Sequence, residues 1–232
     1  MGKRIIQQRR GRGTLTYRSP GHRFLAKVKH PSETGIVVDI VNCPGHNSPL
    51  VQVKYASGEK VYFIAPHGIK VGDEIKVGET EEIEAGNIVQ WRNIPGGAAV
   101  YNIESQPGDG GKFVRSSGTF AKLVTKTTNS ITIKLPSKKE KNFHPDCRAA
   151  IGIVSGAGRL EKPFLKAGTM FHKMKARNKL YPSVSGTSMN AVDHPFGGTN
   201  SSHKGKPTIA PRWAPPGKKV GKVRPRRTGK KR

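Results

Sequence analysis

Leu50-Val-Gln-Val-Lys-Tyr55-Ala-Ser-Gly-Glu-Lys60-Val-Tyr-Phe-Ile64 is two β-branched and aromatic runs joined by Ser57-Gly58-Glu59. Alternation on both sides of a glycine turn predicts a β-hairpin. Working outward, Gly35-Ile-Val-Val-Asp-Ile-Val41 precedes it, and Gly68, Gly72-Asp73 and Gly78 punctuate Ile69–Val77 after it. Four or five closely spaced strands with glycine turns predict a small β-barrel over 34–84. Asp73, Glu74, Glu79, Glu81, Glu82 and Glu84 crowd its end, an acidic side expected to face solvent away from nucleic acid.

The pattern returns in 85–155. Val100–Glu104, Phe120–Val124, Ser130–Leu135 and Ala149–Val154 alternate as strands do, separated by Gly96-Gly97, Pro107-Gly-Asp-Gly-Gly111 and Ser116-Ser117-Gly118. This predicts a second barrel; units of about 50 and about 70 residues can each hold a core.

The flanks read differently. In 1–33, Lys3, Arg4, Arg9, Arg10, Arg12, Arg18, Arg23, Lys27 and Lys29 face one acid, Glu33, and Gly11, Gly13, Pro20 and Gly21 argue against regular structure. Residues 156–232 are rich in Gly, Pro, Ser, Lys and Arg, a mixture expected to build no core, with one short helix around Thr169–Asn178. After Asp193 no acid occurs. Such arms are expected to order on a phosphate backbone.

Charge sets the function class. The 232 residues hold 42 Lys+Arg against 15 Asp+Glu, a formal charge of +27, with 28 glycines and 17 prolines. So large an excess calls for a polyanionic partner, and basic residues scattered through the chain favour nucleic acid over a membrane face. Two cysteines make no disulfide framework, no apolar run suggests a leader or a membrane span, and a soluble intracellular protein is expected.

Gly186-Thr-Ser-Met-Asn190-Ala-Val-Asp-His194-Pro-Phe-Gly-Gly-Thr199 is a loop by composition, with Pro195 fixing φ and Gly197-Gly198 permitting close approach to another surface. Ser188, Asp193 and His194 invite comparison with a nucleophilic triad. Asp193 and His194 are adjacent, however, and in an extended chain their side chains point apart. Contact of His194 with a phosphate or 2′-hydroxyl is favoured over acid–base catalysis. Gly111-Lys112 lacks the remaining P-loop positions. Cys43-Pro-Gly-His46 and His144-Pro-Asp-Cys147 together could offer zinc two thiolates and two imidazoles, or be two unrelated turns. Tyr17, Phe24, Phe113, Phe171, Tyr181, Phe196 and Trp213 lie among cations and could stack on bases, although Phe113 above all fits a core.

Several runs resemble one family in order along the whole chain. They are Gly86-Asn87, Arg92-Asn-Ile-Pro-Gly-Gly97, Asn102-Ile-Glu, Pro107-Gly-Asp-Gly-Gly-Lys112, Arg115-Ser-Ser-Gly118 and Lys134-Leu-Pro-Ser137. Asp146-Cys-Arg-Ala149, Lys162-Pro163, His172-Lys-Met-Lys-Ala-Arg177 and Met189–Gly198 continue the match. The chain is similar to the universal large-subunit ribosomal protein two family, in its archaeal form; the bacterial form has a second His where Phe196 stands and a longer N-terminus.

The resemblance implies an OB-fold barrel followed by an SH3-like barrel, with long basic irregular extensions at both ends. It implies large-subunit rRNA, neighbouring ribosomal proteins, nearby tRNA and the small subunit as partners. Neither a cofactor, a metal, a membrane nor a small-molecule substrate is expected. Cytoplasmic ribosomes are the implied location, and support of subunit association, tRNA placement and assembly of the peptidyl transferase centre the implied role. His194 matches the histidine once suspected of catalysis; peptide-bond chemistry belongs to the RNA.

Residues expected on RNA are Arg4, Arg9, Arg10, Arg12, Arg18, His22, Arg23, Arg92, Lys112, Arg115, Arg148, Lys162, His172, Lys173, Lys175, Arg177, Asn190, His194, Gly197, Gly198, Lys204, Lys206, Arg212, Lys218, Lys219, Arg224, Arg226 and Arg227. The alternatives are an RNA-acting enzyme using His194 and a free nucleic-acid chaperone.

Overall fold

The computed structural model describes residues 2–78, 83–199 and 203–223. Arg224, Arg226, Arg227, Glu79, Glu81 and Glu82 lie outside the described residues. The chain divides into two compact units, one of residues 21–163 and one of residues 1–20 with 164–232.

The first unit is mainly β. Strands β1 (Gly35–Val41), β2 (Leu50–Tyr55), β3 (Lys60–Ile64) and β4 (Glu74–Ile75) form one antiparallel sheet in the order β3-β2-β1-β4. The hairpin expected around Gly58 is present, with Leu50 opposite Ile64 and Lys54 opposite Lys60. Gly58 takes φ 86°, the left-handed value that glycine tolerates in so tight a turn. Of the Ile69–Val77 run only β4 is strand, since Gly72 and Asp73 occupy a turn closed on Val37.

The second sheet holds β5 (Ile88–Gln90), β6 (Ala99–Tyr101), β7 (Ala121–Lys126), β8 (Ile131–Lys134), β9 (Glu140–Phe143) and β10 (Arg148–Ile151), in the order β5-β10-β6-β7-β8-β9. Strands β5 and β9 were not anticipated. The first is only three residues long, and the second reads Glu-Lys-Asn-Phe with three exposed side chains, so neither carries an alternating apolar signal. The two antiparallel sheets match an OB-fold-like barrel followed by an SH3-like one.

Two buried clusters fill this unit. One gathers Val37, Leu50, Val51, Val53, Phe63, Ile64 and Ile75, and extends to Ile88, Tyr101 and Ala150 from the second sheet and to Val154 just after it. Tyr101 anchors that extension by donating its hydroxyl to Ile64 O at 3.2 Å. The other gathers Trp91, Ile94, Val100, Ile103, Ile131, Ile133 and Cys147. Phe113 packs against this second cluster and Phe24 against the first, so both rings serve packing.

His30 is buried beside Phe63, ring centroids 5.8 Å apart. Burial lowers its pKa to about 4, with Glu104 opposing and Arg148 assisting. Because the folded value is depressed, stability is whole above the ordinary 6.5 and is lost as pH falls towards 4. At pH 4.5 the expected loss is about 2–3 kcal/mol. Urea unfolding of the full chain at pH 7 and pH 4.5 should show that loss, and His30→Phe should lose correspondingly less. Equal losses in both proteins would refute the assignment.

The second unit departs from the expectation of structureless arms. Ile6–Gly11 forms a helix, α1, and Ala167–Ala176 a second, α2, close to the helix expected at 169–178. Gln8 Oε1 accepts the Ile5 N–H at 3.0 Å, which satisfies one otherwise orphaned donor at the start of α1. Ile5, Phe196 and Val220, from three distant stretches, form a small buried cluster. Three apolar side chains in basic surroundings show no periodicity, which is why composition missed them.

Candidate nucleic-acid interface

The loop at 186–199 is closed on itself. A short 3-10 turn spans Gly186–Ser188, and Asn190 O then accepts the N–H groups of Asp193 at 3.0 Å and His194 at 3.2 Å. Gly197 N–H donates to His194 O at 2.9 Å, and Gly198 N–H reaches back to Met189 O at 3.0 Å. A Cβ on Gly197 would fall on the carbonyl oxygens of Met189 and Asn190. Only Gly198 has the left-handed φ, 89°. The need for glycine at 197 therefore arises from crowding inside the loop, not from positive φ.

His194 works as part of that closure. Its Nδ1 accepts the Phe196 N–H at 3.0 Å, and its ring lies flat on Gly186, where a Cβ would sit 2.5 Å from the imidazole. Burial lowers its pKa, so the neutral Nε2–H tautomer is the form at neutral pH. Asp193 does not orient it; the carboxylate pairs with Lys3 Nζ at 3.4 Å, and Lys3 N–H donates to Val192 O at 2.8 Å. A nucleophilic triad is absent from this geometry. Phe196, one of the rings that could stack on a base, is only 7% exposed and packs on Ile5 and Val220.

The stretch at 208–222 packs against the loop through Val220 and Gly221. Lys222 N–H donates to Thr208 O at 2.8 Å and Ala210 N–H to Lys222 O at 3.2 Å. Gly221, at φ 89°, brings this turn against Phe196, where a Cβ would be 3.2 Å from the ring tip. Ile5, Val220 and Gly221 are the residues of this site that residue type alone did not single out, and Lys3 stood only among the basic residues of the N-terminal arm.

Around this framework, Arg4, Arg9, Arg10, Arg12, Arg18, Lys204, Lys206, Arg212 and Lys218 are exposed. So are Asn190, Gly198, His172 and Lys175, while Lys173 on α2 and Arg177 at its C-terminal cap are half-buried. Lys173 Nζ lies over the Phe164 ring at 4.8 Å, and Lys219 Nζ donates to Arg212 O at 3.0 Å. Trp213 is 85% exposed beside Arg212, and Tyr17 is half-buried under Arg10.

In the barrel unit His22 lies in a short 3-10 turn, and Arg23, Arg92, Lys112 and Lys162 are exposed. Several cations expected on RNA have protein partners. Arg92 pairs with Asp146, Lys112 with Asp109 at 3.1 Å, and Arg115 donates to Gly111 O at 3.3 Å. Arg148, half-buried, donates to Glu104 at 3.2 Å.

Glu104 is 0% exposed and organises the Pro107–Gly111 loop. Its carboxylate accepts the N–H groups of Gly108 and Gly110, each at 3.2 Å, and of Arg148 at 2.8 Å. Asp109 accepts those of Ser105, Gln106 and Gly111 at 3.0 to 3.1 Å. Five loop N–H groups are thus turned inward onto carboxylates. A glycine loop so arranged offers no nest of N–H groups to an anion, which agrees with the failed P-loop spacing.

The four candidate zinc ligands are not brought together. Cys43 lies in the first barrel cluster and accepts the Leu25 N–H at 3.4 Å, while Cys147 lies in the second, its pKa raised to about 11 by burial and then Glu104. Each Cys–His pair closes its own turn, His46 N–H on Cys43 O and Cys147 N–H on His144 O, both at 3.1 Å. Among the described residues no cluster of three metal-ligating side chains occurs, and no helix is long and apolar enough to cross a membrane.

Family models match both parts of the chain, the RNA-binding N-terminal domain of ribosomal proteins L2 over residues 3–77 and their C-terminal domain over 84–216. This chain belongs to the ribosomal protein L2 family. Relatives named large ribosomal subunit protein uL2 are similar over full length, 51% identical in Methanosphaera stadtmanae and 48% in Methanococcoides burtonii, with all of both chains covered. The protein of that name from Haloarcula marismortui is 49% identical over 99% of this chain and 98% of its own. Within the L2 family frame, the loop at 186–199 falls in the C-terminal match and Arg4 to Arg23 in the RNA-binding one.

Proposed function

We propose that this chain is a structural rRNA-binding constituent of the large ribosomal subunit, located in cytoplasmic ribosomes. It supports subunit association, tRNA placement and assembly of the peptidyl transferase centre, among neighbouring ribosomal proteins and near tRNA and the small subunit. The observation that carries this reading is similarity over the whole length to proteins named as large-subunit constituents. The charge of +27 supports a polyanionic partner.

Within it we assign residues 1–33 and 156–232 as rRNA-binding extensions and 34–84 and 85–155 as the two barrels. The exposed cations of residues 4–18 and 204–218 neutralise phosphates. Arg148 positions Glu104 rather than touching RNA. A structural rather than catalytic role is supported at His194, whose Nδ1 accepts the Phe196 N–H, and at Asp193, which pairs with Lys3 instead of the imidazole.

Sedimentation of a cell lysate tests this reading. The protein should travel with the large subunit and stay there through a high-salt wash; protein at the top of the gradient would refute it. Binding of the purified chain to rRNA should weaken with salt by roughly 0.7–0.9 in log–log slope for each phosphate neutralised. A slope near zero would count against phosphate contact.

A further inference from the structure

Beside the 186–199 loop lies a cavity of about 430 Å³, lined by Lys3, Arg4, His194, Pro195, Lys206 and Lys218 among other residues. Four of its lining side chains are cations and none is an acid. Asp193 pairs with Lys3. A single inorganic anion would leave most of this volume empty, which instead falls in the range of small-molecule sites. Its lining also includes apolar Ile5 and Pro195 beside the imidazole of His194. With Nδ1 occupied by the Phe196 N–H, that ring has its Nε2–H left to donate. One wall is Gly217, at φ 90°, where a Cβ would press to 3.1 Å from the Gln8 amide.

We infer that this cavity seats one unpaired nucleotide of the bound RNA, with its phosphate among Arg4, Lys206 and Lys218 and its 2′-hydroxyl at His194 Nε2–H. The inference rests on the rRNA-binding reading and deepens it. A 2′-hydroxyl accepts where DNA offers nothing, so a donor at this position discriminates ribose from deoxyribose. An acidic peptide segment would satisfy the cations but would not need the imidazole donor.

The test follows the His194 ring nitrogens by NMR in the full chain, assigned by comparison with His194→Gln. Adenosine monophosphate should shift Nε2 on saturation, and its 2′-deoxy analogue should bind roughly fivefold more weakly, the worth of one hydrogen bond. In the Lys206→Ala/Lys218→Ala double variant the nucleotide should bind at least about tenfold more weakly, as expected on losing charge-assisted bonds. The Gly198 amide, bonded to Met189 O, reports whether the loop is still closed. If the double variant opens the loop, the Lys218→Ala single variant carries the comparison.

On an rRNA fragment, the closed variant should show a salt slope flatter by about 0.7, one phosphate contact. No Nε2 shift, equal affinity for ribo- and deoxynucleotide, saturation of the same signal by an oligoglutamate peptide, or an unchanged slope would overturn the inference. Wild-type protein that binds rRNA while failing these tests leaves the ribosomal reading standing. Wild-type protein that takes up no rRNA removes both.

Discussion

Glu104→Ala is expected to destabilise the barrel unit by about 3–5 kcal/mol, the cost of leaving three backbone N–H donors and a half-buried guanidinium without their carboxylate. Its carboxylate is fully buried, pairs with Arg148 and accepts three backbone N–H groups. Alanine would strand the Arg148 guanidinium and three donors at once, and unmade buried hydrogen bonds cost more than made ones return. Glu104→Gln keeps the shape and part of the acceptor capacity, and should fall between. Urea unfolding followed by the fluorescence of buried Trp91 would measure the loss, and exchange of the Gly108 and Gly110 amides should accelerate in step. A loss below about 1 kcal/mol would mean the carboxylate is not what holds this loop.

Gly197→Val should cut incorporation into large-subunit particles by at least about tenfold, because overpacking of 1–3 kcal/mol falls on a loop with no slack. The added side chain meets the Met189 and Asn190 carbonyls. Relief requires breaking the Gly198 N–H bond to Met189 O, and that opening would draw Phe196 away from Ile5 and Val220. Gly197→Ala should fail nearly as badly, since the Cβ itself is what collides. That result separates crowding from backbone strain. Particle occupancy of either variant, measured by quantitative mass spectrometry of sucrose-gradient fractions, decides it; normal occupancy for both would sink the role of loop closure.

These two sites were unequally visible beforehand. Pro195 and Gly197-Gly198 announce a loop of close approach, because their backbone consequences are local to the residue. What approaches is another matter. The close surface is the loop's own backbone at 189–190, and that depends on where the chain returns. Glu104 was legible only as one acid in a strand. Its burial follows from Gly108 and Gly110 folding back over it, a relation set by the loop between them. The packing of Phe196 was hidden for a similar reason. Its packing partners Ile5 and Val220 lie far off in sequence, and three apolar residues in distant basic stretches carry no periodic signal.

The barrel strands show the same division. Gly35–Val41, Leu50–Tyr55 and Lys60–Ile64 were each found to the residue, since alternation of β-branched and aromatic side chains is a one-dimensional pattern that a half-buried sheet requires. Glu140–Phe143 was not, because an edge strand with three exposed side chains is held by its ladder to Ile131–Lys134 rather than by burial.

The sequence by itself determined a mainly β protein of two barrels with basic arms, its membership of the ribosomal L2 family and its demand for a polyanion, since periodicity, charge and ordered motifs are properties of the chain read end to end. Only the tertiary structure decided that Arg148 serves Glu104, that His194 is a neutral closure of its own loop, and that the two ends share the core of Ile5, Phe196 and Val220. Each of these is a contact between residues remote along the chain, and burial, pairing and tautomer exist only once those residues have met.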